Sequence, residues 1–95
     1  MVQMETGMLA RSLAGHDRSR LYIIICAEAE YVWLVDGKIR TLANPKKKKK
    51  KHVQVVHRIP EPVREIQRSG QTLRDEHIMQ AIQSESRDRQ EDKNV

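Results

Sequence analysis

The basic residues of this sequence are the ones best suited to bind a ligand. Lys and Arg neutralise phosphate groups and release counterions, which gives affinity for polyanions with little sequence preference. Residues 46–51 are six consecutive lysines, and a short polar segment at 15–20 contains Arg18 and Arg20. The candidate binding residues are these basic side chains and the glycine that opens the polar segment: Arg11, Gly15, Arg18, Arg20, Lys38, Arg40, Lys46, Lys47, Lys48, Lys49, Lys50 and Lys51.

The basic residues are concentrated in the first part of the chain. Residues 1–59 hold 12 Lys+Arg against 5 Asp+Glu, a net charge of +7, whereas residues 60–95 hold 6 against 8, a net charge of −2. A basic module of this size favours nucleic acid as its partner, and an acidic membrane surface is the rarer alternative. A third interpretation is that the lysines are a solvated charge run that serves solubility alone.

Little else in the sequence indicates chemistry. The four histidines are scattered and lack the spacing of metal ligands, and no nucleophile is paired with a base. The single cysteine, Cys26, follows the apolar residues Ile24 and Ile25 and is predicted to be a buried strand residue. We therefore predict a non-enzymatic protein with no cofactor, no metal site and no catalytic residue.

Short apolar runs predict a small β structure. Strands are expected at residues 8–14, 21–26, 31–35, 38–42 and 52–56. Asp36-Gly37 is a hairpin signal that should pair residues 38–42 with the preceding strand, and the mutual repulsion of the lysines predicts a flexible loop at 46–51. Five strands in about 50 residues with short turns are typical of a small barrel.

The composition changes after residue 57. Pro60 and Pro62 predict an extended linker, although residues 63–68 have the pattern of a short helical turn that Gly70 would stop. Residues 72–83 have a helical pattern, and the charged residues after them have none. The sequence thus predicts a mainly β protein: an SH3-like five-stranded barrel at 7–57, a linker at 58–71, a short C-terminal α-helix at 72–83 and a disordered tail at 84–95.

Aromatic residues and the C-terminal helix each leave two interpretations open. Tyr22, Tyr31 and Trp33 are either core residues or platforms for base stacking, and the absence of Phe favours core for Trp33. The helix either packs on the barrel or presents Ile78 and Ile82 to a protein partner. No apolar run approaches the ~20 residues of a membrane span and no secretory signal is visible, so a cytoplasmic protein is expected.

Several segments resemble a known family. They are Gly7, Ala14-Gly15-His16-Asp17-Arg18-Ser19-Arg20, Tyr22-Ile23-Ile24, Asp36-Gly37-Lys38-Ile39-Arg40-Thr41-Leu42, Asn44-Pro45, His52-Val53 and the helix at 78–82. Together they resemble the KOW motif and the KOW-domain ribosomal proteins of the large subunit, the fourteen-e group, above all its short bacterial relatives. The resemblance covers residues 7–82. It departs from the motif at Ser19, where Gly is usual; a positive φ there would strain the loop by ~1 kcal/mol.

The resemblance implies an SH3-like barrel that binds RNA, expected to be ribosomal RNA of the large subunit, through the 15–20 loop and the basic edges. A neighbouring ribosomal protein is a possible partner of the C-terminal helix, and no membrane partner is implied. The alternative function is a protein-interaction module, since barrels of this type also dock proteins through grooves and sheet edges. An exposed apolar groove near Tyr22, Tyr31 or Trp33 would favour that alternative.

Overall fold

The computed structural model describes residues 3–16 and 18–93, with side chains through residue 85. The strands are β1 (Leu9–Ser12), β2 (Leu21–Ala27), β3 (Tyr31–Val35), β4 (Lys46–Lys49) and β5 (Val53–Val56). A 3-10 turn at Lys50–His52 joins β4 to β5, and the helices are α1 (Glu61–Ser69) and α2 (Asp75–Lys93). The prediction of five antiparallel strands is confirmed. The helices, of 9 and 19 residues, make the fold α+β rather than mainly β.

The identity of the fourth strand differs from the prediction. Residues 38–42 are not a strand, and the lysines predicted to be a flexible loop form β4, which pairs antiparallel with β3. The Asp36 turn explains why: its Oδ1 accepts the backbone N–H groups of Lys38 (2.8 Å) and Arg40 (2.9 Å), so the chain curls around the carboxylate instead of extending. The open edge of β3 is then filled by the next extended segment.

The sheet cannot be flat. Its strand order is β4-β3-β2-β1-β5, so β4 and β5 lie at opposite edges, roughly 19 Å apart in a flat sheet. They are nevertheless joined by the three residues Lys50–His52, and the four Cα steps of that connection span at most about 14 Å. The sheet must therefore coil so that its two edges approach each other.

Each face of the sheet contributes a cluster of buried residues to the core. One face is enclosed by the coil, and its buried residues are Ala10, Tyr22, Ile24, Val32, Leu34 and Val53. The opposite face carries Leu9, Ile23 and Val35, which pack against Val63 of α1 and against Ile78 and Ala81 of α2. The helices therefore complete the core, and the interpretation in which Ile78 faces a partner is wrong because its side chain is fully buried.

Helix α1 occupies most of the segment predicted to be a linker. Pro62 stands in its first turn, where proline is tolerated because the missing N–H has no helical partner. Val63 and Ile66 face inward, as the helical pattern predicts, and Gly70 ends the helix at φ +72°. The expectation of an extended linker is wrong for Glu61–Ser69, although the sequence also indicated a helical turn at 63–68. The helix forms because Val63 and Ile66 pack into the core.

Helix α2 extends through Lys93, well beyond the predicted end at residue 83. The prediction of a disordered tail is therefore wrong for residues 84–93, and residues 94 and 95 lie outside the described part of the chain. No Gly or Pro follows Gly70, and Gln, Glu, Arg and Lys are good helix formers. A helix anchored by its first turns can continue through residues of high helix propensity.

Candidate nucleic-acid interface

The lysine strand β4 lies beside the two partly exposed aromatic residues of β3. In the register, Tyr31 pairs with Lys49 and Trp33 with Lys47, while Val32 and Leu34 pair with Lys48 and Lys46. Because side chains alternate along a strand, Lys47 and Lys49 point outward with the two aromatic rings. Lys46 and Lys48 are partly buried on the other face.

We define the aromatic-lysine face as Tyr31, Trp33, Lys47 and Lys49. The Lys47 ammonium lies over both rings, 4.3 Å from the centroid of Tyr31 and 5.5 Å from that of Trp33. Both aromatic side chains are only partly buried. The preference for Trp33 as a core residue is therefore wrong, whereas Tyr22 does lie in the core, at 2% exposure.

Cys26 is exposed next to this face, contrary to the prediction that it is buried. The strand register shifts between Ile24 and Cys26, so that Ile24 pairs with Leu34 but Cys26 pairs with Trp33. A bulge of this kind inserts one residue and moves the following side chain to the other face of the sheet. Simple alternation from Ile24 would have placed Cys26 inside.

The 3-10 turn brings two further lysines between two other turns of the sheet. The Lys50 backbone N–H donates to the Glu30 carbonyl (2.9 Å), in the turn that joins β2 to β3. The Leu13 backbone N–H donates to the His52 carbonyl (2.9 Å), at the start of the loop that joins β1 to β2. Lys49, Lys50 and Lys51 line a shallow hollow with Glu30.

The 15–20 loop carries the exposed Arg18 and Arg20 and is held by backbone hydrogen bonds. Ser12 N–H donates to the Arg20 carbonyl (3.1 Å), and Ser19 N–H donates to the Ser12 carbonyl (2.8 Å). Lys48 Nζ donates to the Ala14 carbonyl (2.8 Å), which ties the loop to the lysine strand. Asp17, also in this loop, lies outside the described residues.

Backbone conformation in this loop bears on the departure from the KOW motif. Gly15 has φ +86°, and Ser19 has φ +74°, which is the left-handed region that disfavours side chains. The condition under which Ser19 would strain the loop is therefore met. The strained residue lies between the two arginines that the loop presents.

The remaining predicted residues lie elsewhere on the surface. Lys38 is exposed in the Asp36 turn and lines a shallow groove that also contains Arg20. Arg40 is partly buried in the same turn, and Arg11 is partly buried on β1, between Leu21 and Gln54 in the register. The structure thus brings the lysines and the 15–20 loop together, with Lys38 beside Arg20, whereas Arg11 and Arg40 are less accessible.

The described residues contain no group of three or more His, Cys, Asp or Glu side chains placed to hold a metal ion. Within the described part of the chain, no helix has the length and apolar character needed to cross a membrane. Comparison with models of known protein families and with curated proteins finds no match to this chain.

Proposed function

We propose that this chain is a non-enzymatic RNA-binding protein. In this proposal the aromatic-lysine face, the lysines of the 3-10 turn and the 15–20 loop contact RNA, and the RNA is ribosomal RNA of the large subunit in the cytoplasm. The basic surface supports a polyanion as the ligand. The resemblance to the KOW-domain ribosomal proteins is the reason for proposing ribosomal RNA.

The observation that carries the proposal is the placement of two partly exposed aromatic rings beside exposed lysines. A charge run that serves solubility alone needs no aromatic neighbours, and burying Tyr31 and Trp33 would be the more stable solution for a small core. Basic grooves with aromatic platforms are instead typical of surfaces that bind nucleic-acid strands.

An SH3-like barrel is the finer fold that we propose. Adjacent strands in the order are antiparallel, so β4 and β5 would run in the same direction at opposite edges of a flat sheet. A three-residue connection between them requires the sheet to coil, and a partly closed barrel would meet that requirement. This supports a barrel whose side is capped by α1 and α2.

Salt dependence of RNA binding tests the proposal. Replacing Lys47, Lys49 and Lys51 by Gln removes three exposed charges. We expect the negative slope of log K against log salt concentration to become shallower by about 2–3 units. The matched control replaces Arg64, Arg68 and Arg74, exposed residues of the helical part, by Gln. It changes the net charge equally and should alter the slope by less than about one unit.

A second experiment addresses the ribosome. We expect the tagged protein to co-sediment with large subunits at low salt and to dissociate as salt rises. Sedimentation at the top of the gradient at low salt would contradict the ribosomal partner and favour another RNA or a protein.

In the salt experiment, an equal slope change in the two triple variants would show that only net charge matters. That outcome would contradict the assignment of the lysines to the RNA contact.

A further inference from the structure

The two rings of the aromatic-lysine face point toward one space. Tyr31 and Trp33 are two residues apart on β3, on the same face of the sheet, about 7 Å along the strand. The Lys47 ammonium lies within 5.5 Å of both ring centroids and so fills the space next to them. Lys49 stands at the adjacent outward position, directly opposite Tyr31.

A nucleobase would compete well with that ammonium. Stacking of one base on an aromatic side chain raises affinity roughly 5- to 100-fold, whereas an exposed cation-π contact is worth roughly 2- to 5-fold. The displaced Lys47 ammonium would exchange its contact with the two rings for an ion pair with the phosphate of the same nucleotide. Stacking and phosphate contact are therefore compatible at this face.

We propose that the aromatic-lysine face binds a single unpaired base of RNA by stacking on Trp33 and Tyr31, with the adjacent phosphates held by Lys47 and Lys49. This inference rests on the proposed function and specifies the RNA structure that is recognised: a bulge, loop or single strand rather than a continuous duplex. Within a duplex the bases are stacked on each other and offer no free ring face to a flat protein surface.

Two RNA hairpins that differ by one bulged adenosine in the stem test this inference. We expect the bulged hairpin to bind roughly 5- to 100-fold more tightly at equal salt. Trp33 is the only tryptophan of the chain, so its fluorescence reports on this face alone. It should be quenched by the bulged hairpin and much less by the paired one.

Substitutions separate stacking from charge. Trp33→Leu should remove the preference for the bulged hairpin and leave the salt slope unchanged, because no charge is lost. The matched control is Ile39→Ser, which removes an apolar side chain that is 64% exposed outside the face and should preserve the preference. If Trp33→Leu does not fold, the comparison of the two hairpins on the unaltered protein still decides the question.

The outcomes separate this inference from the function on which it rests. Equal affinity for both hairpins with unchanged Trp33 fluorescence would overturn base stacking and leave RNA binding intact. Failure to bind either hairpin at low salt would overturn both.

Discussion

Adding one methyl group at Gly37 should strongly lower the free energy of unfolding. Its φ is +84°, and a Cβ there would lie 2.6 Å from the Asp75 carbonyl oxygen and 2.6 Å from Met79 Cγ, both in α2. The left-handed conformation costs a side chain about 1–2 kcal/mol, offset by 0.5–1 kcal/mol of lost unfolded-state entropy. Overpacking adds about 1–3 kcal/mol because a backbone oxygen is among the obstacles. We therefore expect Gly37→Ala to destabilise the protein by about 2–4 kcal/mol.

Gly70 provides the matched control. Its φ is +72°, but no heavy atom lies within 4 Å of the position its Cβ would take. Gly70→Ala should therefore cost only the conformational term, about 0.5–1 kcal/mol.

Urea denaturation of both variants, followed by far-ultraviolet circular dichroism, gives the two free energies of unfolding. The melting temperatures should fall by roughly 8–30 °C for Gly37→Ala and by less than about 8 °C for Gly70→Ala. Equal losses in the two variants would refute the contact between the Asp36 turn and α2.

Three further predictions concern stability and use the same urea assay. Ser19→Gly should stabilise the protein by about 0.5–1 kcal/mol because it relieves the positive φ; a loss would refute the strain. Asp36→Ala should cost about 1–3 kcal/mol by removing the acceptor of two backbone N–H groups, whereas Asp36→Asn should cost less. Glu85→Gln should cost at most about 1 kcal/mol, since its partner Arg58 is 55% exposed, and a larger loss would contradict that solvent screening.

The apolar strands β2 and β3 were predictable because burial of their side chains determines where they lie in the sheet. β3 has the predicted bounds, and the pattern of β2 also defines a strand because four β-branched or aromatic residues in succession disfavour a helix. The lysine strand was not predictable in this way. The position of β4 is determined by the edge of β3, whose backbone N–H and C=O groups need hydrogen-bond partners. Any extended segment can supply these partners through its own backbone, and an edge strand tolerates lysine well.

The candidate site was predictable in its residues but not in its arrangement. The alternation of Tyr31 and Trp33 against Val32 and Leu34 indicated which side chains share a face. Which part of that face would stay open depended on where α1 and α2 pack: they cover Val35 and leave Trp33 partly exposed. The exposure of Cys26 depended on a bulge for which the local sequence carries no signal.

Lysines on an outer strand also govern how two copies of this chain meet. An unprotected edge is a template for strand addition, and within the described sheet β4 is such an edge, pairing with β3 alone. A second β4 that approached it would bring four lysines from each chain into contact, and their repulsion opposes self-association. The Debye length falls from about 10 Å at 0.1 M salt to about 3 Å at 1 M, so concentrated salt weakens that protection. Any self-association through β4 should therefore be stronger in concentrated salt than in dilute buffer.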